Sequence, residues 1–247
     1  MNGAVLLTKA DALFNEDVLQ GLLARGCSVA AVLPGLAEAD ECAERLPEGS
    51  RDRFFPICGV REDEAGIREA VDQAASRMGG LHHLILGAET ADEASSYASD
   101  PAAFGLGTTA ALRSRFLYSR AAAAHMARNK TGHVLFLLLS DSLYFAGYPS
   151  SPVLNHGTIA MMKTLAKELS PFRVALNAMT YGYYAPSESA AADLGALRRR
   201  LEIHALKPYL PQPREMAEAS VEWLLRAPAH LVSGQNIQIG AGMDTAL

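Results

Sequence analysis

A group that must protonate an alkoxide as it forms, near neutral pH, is well supplied by a tyrosine. Its ordinary pKa of about 10 then has to be lowered by a lysine one helical turn away. The chain has Tyr97, Tyr118, Tyr144, Tyr148, Tyr181, Tyr183, Tyr184 and Tyr209, and none is followed four residues later by a lysine. Cys27, Cys42 and Cys58 are widely spaced and form no Cys-x-x-Cys, which excludes both a disulfide framework and a cysteine zinc site. His82 and His83 are neighbours at the start of a strand-like run, where adjacent side chains face opposite sides, so they are not a ligand pair. His125, His133, His156, His204 and His230 have no Cys or carboxylate at metal-binding spacing, so no metal is expected.

The elements that would position such groups alternate regularly. Ala4–Thr8, Ser28–Leu33, Phe54–Cys58, Leu81–Leu86, His133–Leu139, Val174–Met179 and Asn236–Ile239 are short apolar runs that read as strands. Between them Asp17–Arg25, Glu38–Leu46, Glu64–Met78, Leu112–Arg128, Pro152–Leu169 and Arg214–Leu225 carry apolar residues at helical spacing. This alternation implies one α/β domain over residues 1–247, Rossmann-like, with a doubly wound parallel sheet of about seven strands and helices on both faces. His133–Leu139 is the most hydrophobic strand and belongs in the centre of the sheet. The Ala-, Ser- and Pro-rich stretch 183–213 is too long for a plain connection and reads as a lid or interaction segment.

In a doubly wound sheet the first strand-to-helix turn carries glycines that let a pyrophosphate reach the helix N-terminus. Here it reads Thr8-Lys-Ala-Asp-Ala-Leu-Phe-Asn15, followed at once by Glu16 and Asp17. Asn15 is expected to cap the helix while the two carboxylates satisfy its dipole. Lys9 is either a solvated side chain or a group that pairs with a phosphate. Leu33-Pro34-Gly35, after the second strand, offers neither an acid for ribose hydroxyls nor a base for a 2′-phosphate.

The net charge of −5 and the lack of a basic patch beyond Arg198–Arg200 exclude a nucleic-acid footprint. Those arginines read as a solvated helix face or as contacts to acyl-CoA phosphates. No stretch is apolar enough to span a bilayer, and thiols without pairing fit a reducing compartment, so a cytoplasmic protein is expected, with no membrane partner.

Two segments resemble the short-chain dehydrogenase/reductase family. Pro213–Leu225 followed by Leu231–Met243 is similar to its C-terminal helix, Gly-Gln turn, last strand and glycine-containing tail. Pro171-Phe-Arg-Val-Ala-Leu-Asn-Ala178 is similar to its Pro-Tyr-Gly-Ile-Arg-Val-Asn-Ala strand. The resemblance covers nearly the whole chain and implies where chemistry would sit. The glycine positions of the first turn fall on Lys9, Leu13 and Asn15. The Asn-Asn-Ala-Gly after the fourth strand becomes Leu86-Gly87-Ala88-Glu89, and the Pro-Gly that meets a nicotinamide carboxamide becomes Tyr181-Gly182. The catalytic Asn, Tyr and Lys fall on Ala111, Ser151 and Asn155. Ser140 or Ser142 is a remnant of the catalytic serine. With the wider spacing of enoyl reductases, Tyr148 keeps the tyrosine while Asn155 again replaces the lysine. Ser151, ahead of Pro152, is expected to be spent on capping the helix.

The resemblance therefore implies a fold without its catalytic and NAD-binding groups. It reads as a non-catalytic subunit, binding no cofactor itself, that pairs with a catalytically competent homologous subunit. That partner would oxidise with NAD a hydroxyacyl-CoA such as the 2-[hydroxy(phenyl)methyl]succinyl-CoA of anaerobic toluene degradation. The faces expected to meet the partner carry Phe116 on one helix, Leu154, Met161 and Leu165 on the next, and Gln235 before the last strand. Two alternatives stay open: a self-contained NAD(P)-dependent oxidoreductase or enoyl reductase using Tyr148, and a homo-oligomeric binding or regulatory protein.

Overall fold

The computed structural model describes residues 3–12, 14–89, 93, 99–141, 151–185, 206, 210–228 and 230–240. Strands β1 (Ala4–Leu7), β2 (Ser28–Leu33), β3 (Phe54–Cys58), β4 (His83–Leu86), β5 (Gly132–Leu139), β6 (Val174–Tyr181) and β7 (Asn236–Ile239) form one sheet. Its order is β3-β2-β1-β4-β5-β6-β7 and every pairing is parallel. The helices are α1 (Asn15–Ala24), α2 (Leu36–Glu44), α3 (Glu64–Met78), α4 (Pro101–Asn129), α5 (Pro152–Leu169) and α6 (Pro213–Arg226). The expected α/β architecture is the observed one. β5 lies inside the sheet between β4 and β6, one strand from the middle, because β4 has three strands on either side.

Strand alternation divides the core. Val5 and Leu7 of β1 face one side, with Leu19, Leu22 and Leu23 of α1 and Met216 and Val221 of α6. Leu6 faces the other, with Ile67 and Val71 of α3, Leu117 and Met126 of α4 and Met162 of α5. Parallel strands covered on both faces must be apolar throughout, which is why they read as unbroken hydrophobic runs.

The largest departure from the periodicity reading is the start of α4, at Pro101 rather than Leu112. Asp100 accepts hydrogen bonds from the Ala102 and Ala103 amides, with Pro101 in the first turn, so the Asp-Pro pair is the start signal. Gly26, at φ 80°, follows the end of α1 in the left-handed conformation that glycine favours.

Candidate functional site

Strand order reverses between β1 and β4, and ligands of open α/β sheets sit outside the strands' carboxyl ends at such a point. The β1–α1 turn contains no glycine. Lys9 and Phe14 both hold positive φ, 53° and 59°. For residues with a Cβ this conformation costs about 1–2 kcal/mol each, so surrounding contacts must impose it.

Asn15 supplies those contacts, and not as the expected helix cap. It is the first residue of α1 and fully buried. Its Nδ2 donates to the Lys9 carbonyl and to the Ala88 carbonyl, each at 2.8 Å, and its Oδ1 accepts from the Ala88 amide at 2.9 Å. The side chain thus stitches the turn to the end of β4. Thr8 adds a second stitch, its hydroxyl accepting from the Gly87 amide at 3.1 Å. The approach is so close that a Cβ on Gly87 would lie 2.3 Å from the Thr8 carbonyl oxygen.

Phe14 fills the adjoining space. Its ring is buried, 4.8 Å from that of Tyr181 and 4.8 Å edge-on from that of Tyr184. The Tyr181 hydroxyl shares a 2.6 Å hydrogen bond with Ser220 of α6, and burial pushes its pKa upward, so it is held neutral in packing. Below the turn, Glu16 binds Arg45 at 2.6 Å and 3.2 Å. Burial, then the neighbouring Glu16, raises the pKa of Asp17. The first turn of α1 therefore presents two carboxylates where an anion would have to approach.

Glu89 pairs with a residue that spacing did not single out. Arg115 of α4 is buried; its Nε and Nη2 reach Glu89 Oε1 at 3.1 Å and 3.0 Å, and its Nη1 donates to the Thr158 hydroxyl of α5 at 2.6 Å. Burial lowers the arginine's pKa while Glu89 opposes the shift. The one signal in the sequence was an arginine within an otherwise inward-facing helical stripe.

At the end of β5, Asn155 is buried and its Nδ2 donates to the Leu139 carbonyl at 2.5 Å and to Asp141 at 2.9 Å. The second Asp141 oxygen lies 2.8 Å from His156 Nε2, on an exposed imidazole. Ser140 is buried, its amide bonded to the Tyr181 carbonyl at 2.7 Å. Ser151 stands at the helix boundary, yet its side chain makes no cap bond. The α5 amides of Val153 and Leu154 instead donate to the Glu93 carboxylate, at 2.8 Å and 2.9 Å. Ala111 is half-buried on α4. Leu13, Ser142, Tyr148 and most of the 183–213 segment lie outside the described residues.

Of the partner-facing residues, Phe116 is 39% exposed and Gln235 is exposed. Leu154 is 1% exposed, inside the core with Thr158 and Met162, because one helical turn places all three over the sheet. Val153, 53% exposed, takes the outward place instead. Met161 and Leu165 are half-buried against the core. Among the described residues there is no group of three or more His, Cys, Asp or Glu side chains placed to hold a metal. No helix among them is long and apolar enough to cross a membrane.

A family model described as enoyl-(acyl carrier protein) reductase matches residues 17–244. The chain is similar to the 3-oxoacyl-[acyl-carrier-protein] reductase MabA of Mycobacterium tuberculosis, 25% identical over 245 residues, 97% of this chain and 92% of that protein. It is also similar to the probable galactose dehydrogenase GalD of Rhizobium meliloti, 24% identical over 180 residues, 72% of this chain and 70% of that protein. Among solved structures, an apo SCOR enzyme from Clostridium thermocellum aligns over 100% of this chain and 95% of its own at TM-score 0.75 and 18% identity. A short-chain type dehydrogenase/reductase from Mycobacterium ulcerans aligns over 98% and 91% at TM-score 0.78 and 20% identity.

Proposed function

Because the chain belongs to the short-chain dehydrogenase/reductase family, we propose that it is a non-catalytic member, a subunit that supports a catalytically competent homologue in a heteromeric dehydrogenase. One observation carries the reading: Asn15, Glu89 and Asn155, which depart from the family's site, are each bonded within this chain. Asn15 closes the turn it would have opened as glycine, Phe14 packs on Tyr181, Glu89 pairs with Arg115, and Asn155 is tied to Leu139 and Asp141. A site emptied by chance would leave buried polar groups unpaired at about 1–3 kcal/mol each.

A dinucleotide pyrophosphate does not fit this turn, since the amides of Ala10, Ala12 and Asn15 donate to backbone carbonyls and the helix behind them begins with Glu16 and Asp17. Asn155 is neutral and Ser151 is buried, so neither can replace a tyrosine whose proton a neighbouring lysine has loosened. NAD would then be bound by the partner subunit, whose substrate we propose to be a hydroxyacyl-CoA, of the kind of 2-[hydroxy(phenyl)methyl]succinyl-CoA. Leu106 and Phe116 on α4 and Val153 on α5 are exposed apolar side chains on two adjacent helices that such a partner would cover.

Fluorescence titration of the purified chain with NADH and NADPH tests the first half, and saturable binding of either would overturn it. Purification from the native host tests the second. A co-eluting homologue with an intact Tyr-x-x-x-Lys is the expected result, and a homotetramer without one refutes the heteromer.

A further inference from the structure

Charge is unevenly divided over this chain. Its net charge is −5, yet α4, 29 residues long, contains no Asp or Glu, and the only carboxylate side chain of α5 is Glu168. The same two helices carry Arg113, Arg115, Arg120, Arg128, Lys163 and Lys167. Two of these are neutralised within the chain, Arg115 by Glu89 at 3.0 Å and Arg120 by Glu64 of α3 at 3.2 Å. Arg113, Arg128, Lys163 and Lys167 are exposed, and none forms an ion pair with a described residue.

The unpaired cations share their surface with apolar side chains. α4 and α5 lie side by side, so close that a Cβ on Gly157 of α5 would stand 3.1 Å from the Leu112 side chain of α4. On α5, Val153, Lys163 and Lys167 are exposed and fall on one line along the helix. On α4, Leu106, Arg113 and Phe116 do the same. Apolar groups set among cations make a face that another pair of helices can cover, and the cations decide which pair. A two-fold pair of identical chains sets the same patch on both sides. Any such pairing of α4 and α5 with their own copies therefore brings cation to cation, with Glu168 alone to answer them. Like charges brought together reject a partner, and opposite charges steer the right one in.

We propose that this basic face bars the chain from pairing with its own copies and selects a homologous subunit whose facing helices carry an excess of Asp and Glu. The inference rests on the heteromer of the proposed function and adds to it the property by which the two subunits are told apart.

Purification of the tagged parent and of a tagged Arg113→Glu/Lys163→Glu/Lys167→Glu chain from the native host tests the proposal. All three positions are exposed, so the variant keeps the parent's melting curve, and Lys163→Gln/Lys167→Gln supplies a milder variant that removes charge without reversing it. A homologue with an intact Tyr-x-x-x-Lys, its corresponding helices richer in carboxylates than in cations, elutes with the parent. Charge reversal lowers its recovery roughly 10-fold, the glutamine pair lowers it less, and the parent's complex weakens as salt rises. Sedimentation of the purified chains gives a second measurement. An equal mixture of parent and charge-reversed chains sediments faster at low salt than either alone, and the difference vanishes at high salt. A mixture that sediments as its components do shows that charge does not keep the copies apart, and overturns the inference. If the homologue elutes equally with parent and reversed chains, or its helices are as basic as these, the inference falls and the proposed function stands. If no homologue elutes with the parent, both fall.

Discussion

Asn15 is the residue on which the closed turn depends, and its contribution can be measured. Replacing it with alanine leaves both buried backbone groups of Ala88 without their partner, while the Lys9 carbonyl keeps only the Ala12 amide. At about 1–3 kcal/mol for each unsatisfied buried group, partly relieved by local collapse, Asn15→Ala should lower stability by about 2–4 kcal/mol. Urea denaturation followed by circular dichroism reads this as a lower midpoint with little change in slope. Lys9 tests the strain in the same turn. It is exposed and held at φ 53°, so Lys9→Gly removes the Cβ penalty and adds unfolded-state entropy. The first term is the larger by about 0.5–1 kcal/mol, and a small rise in melting temperature is expected. A fall would show that the lysine side chain stabilises the turn. The sequence announced that the glycines were gone but could not announce what replaced them. The Asn15 contacts span residues far apart in the chain, as does Glu89 with Arg115, and no local spacing encodes either.

At the level of elements, boundaries set by local chemistry were legible and caps supplied from a distance were not. α3 and α5 begin and end where their periodicity says, and α3 carries the local Asp63 cap, whose carboxylate accepts from the Gly66 amide at 2.7 Å. α4 could have been read from Asp100-Pro101 but was hidden by its weakly patterned, alanine- and glycine-containing first turns. α5 illustrates the other case, because Ser151 is the natural cap by position, yet Glu93 does the capping from a distant segment. A buried carboxylate there satisfies two amides and the helix dipole together, and anchors the segment after β4 to α5. Glu93→Gln keeps the shape but removes the charge and swaps one acceptor for a donor facing an amide. It should cost about 1–3 kcal/mol, and Glu93→Asp should recover part of it. Hydrogen exchange localises the effect: the Val153 and Leu154 amides lose protection in Glu93→Gln more than those of β5. Equal loss throughout the sheet would mean that the contact serves global packing and not the cap.

Across the whole molecule the two ends of the sheet have been treated differently. The carboxyl ends carry the bonded Asn15, Glu89 and Asn155, whereas the amino ends hold two histidines opposite in register, His133 on β5, which is buried, and His83 on β4, which is half-buried. Asn177 Nδ2 donates to His133 Nε2 at 3.0 Å, which requires that nitrogen to be unprotonated. Burial lowers His83 to about 4, with His82 adding to the shift, and lowers His133 to about 3, with His83 adding. Both folded values lie below the ordinary value near 6.5, so the unfolded chain takes up protons first as the pH falls. Stability from these groups is therefore complete above about pH 6.5 and is lost progressively as the pH falls toward 4 and then 3. Each histidine contributes at most about 1.4 kcal/mol per pH unit, so about 2–4 kcal/mol should disappear between pH 7 and pH 5. That interval lies above the usual carboxylate range, and the raised Asp17 works in the opposite direction at lower pH. Unfolding free energies measured by urea at half-unit steps of pH give the slope. His133→Gln, which keeps an acceptor for Asn177 and cannot titrate, should remove about half of it. A slope unchanged in that variant would place the acid sensitivity elsewhere. A reduced slope would place the acid sensitivity at the amino ends of the sheet, away from the closed turn at its carboxyl ends.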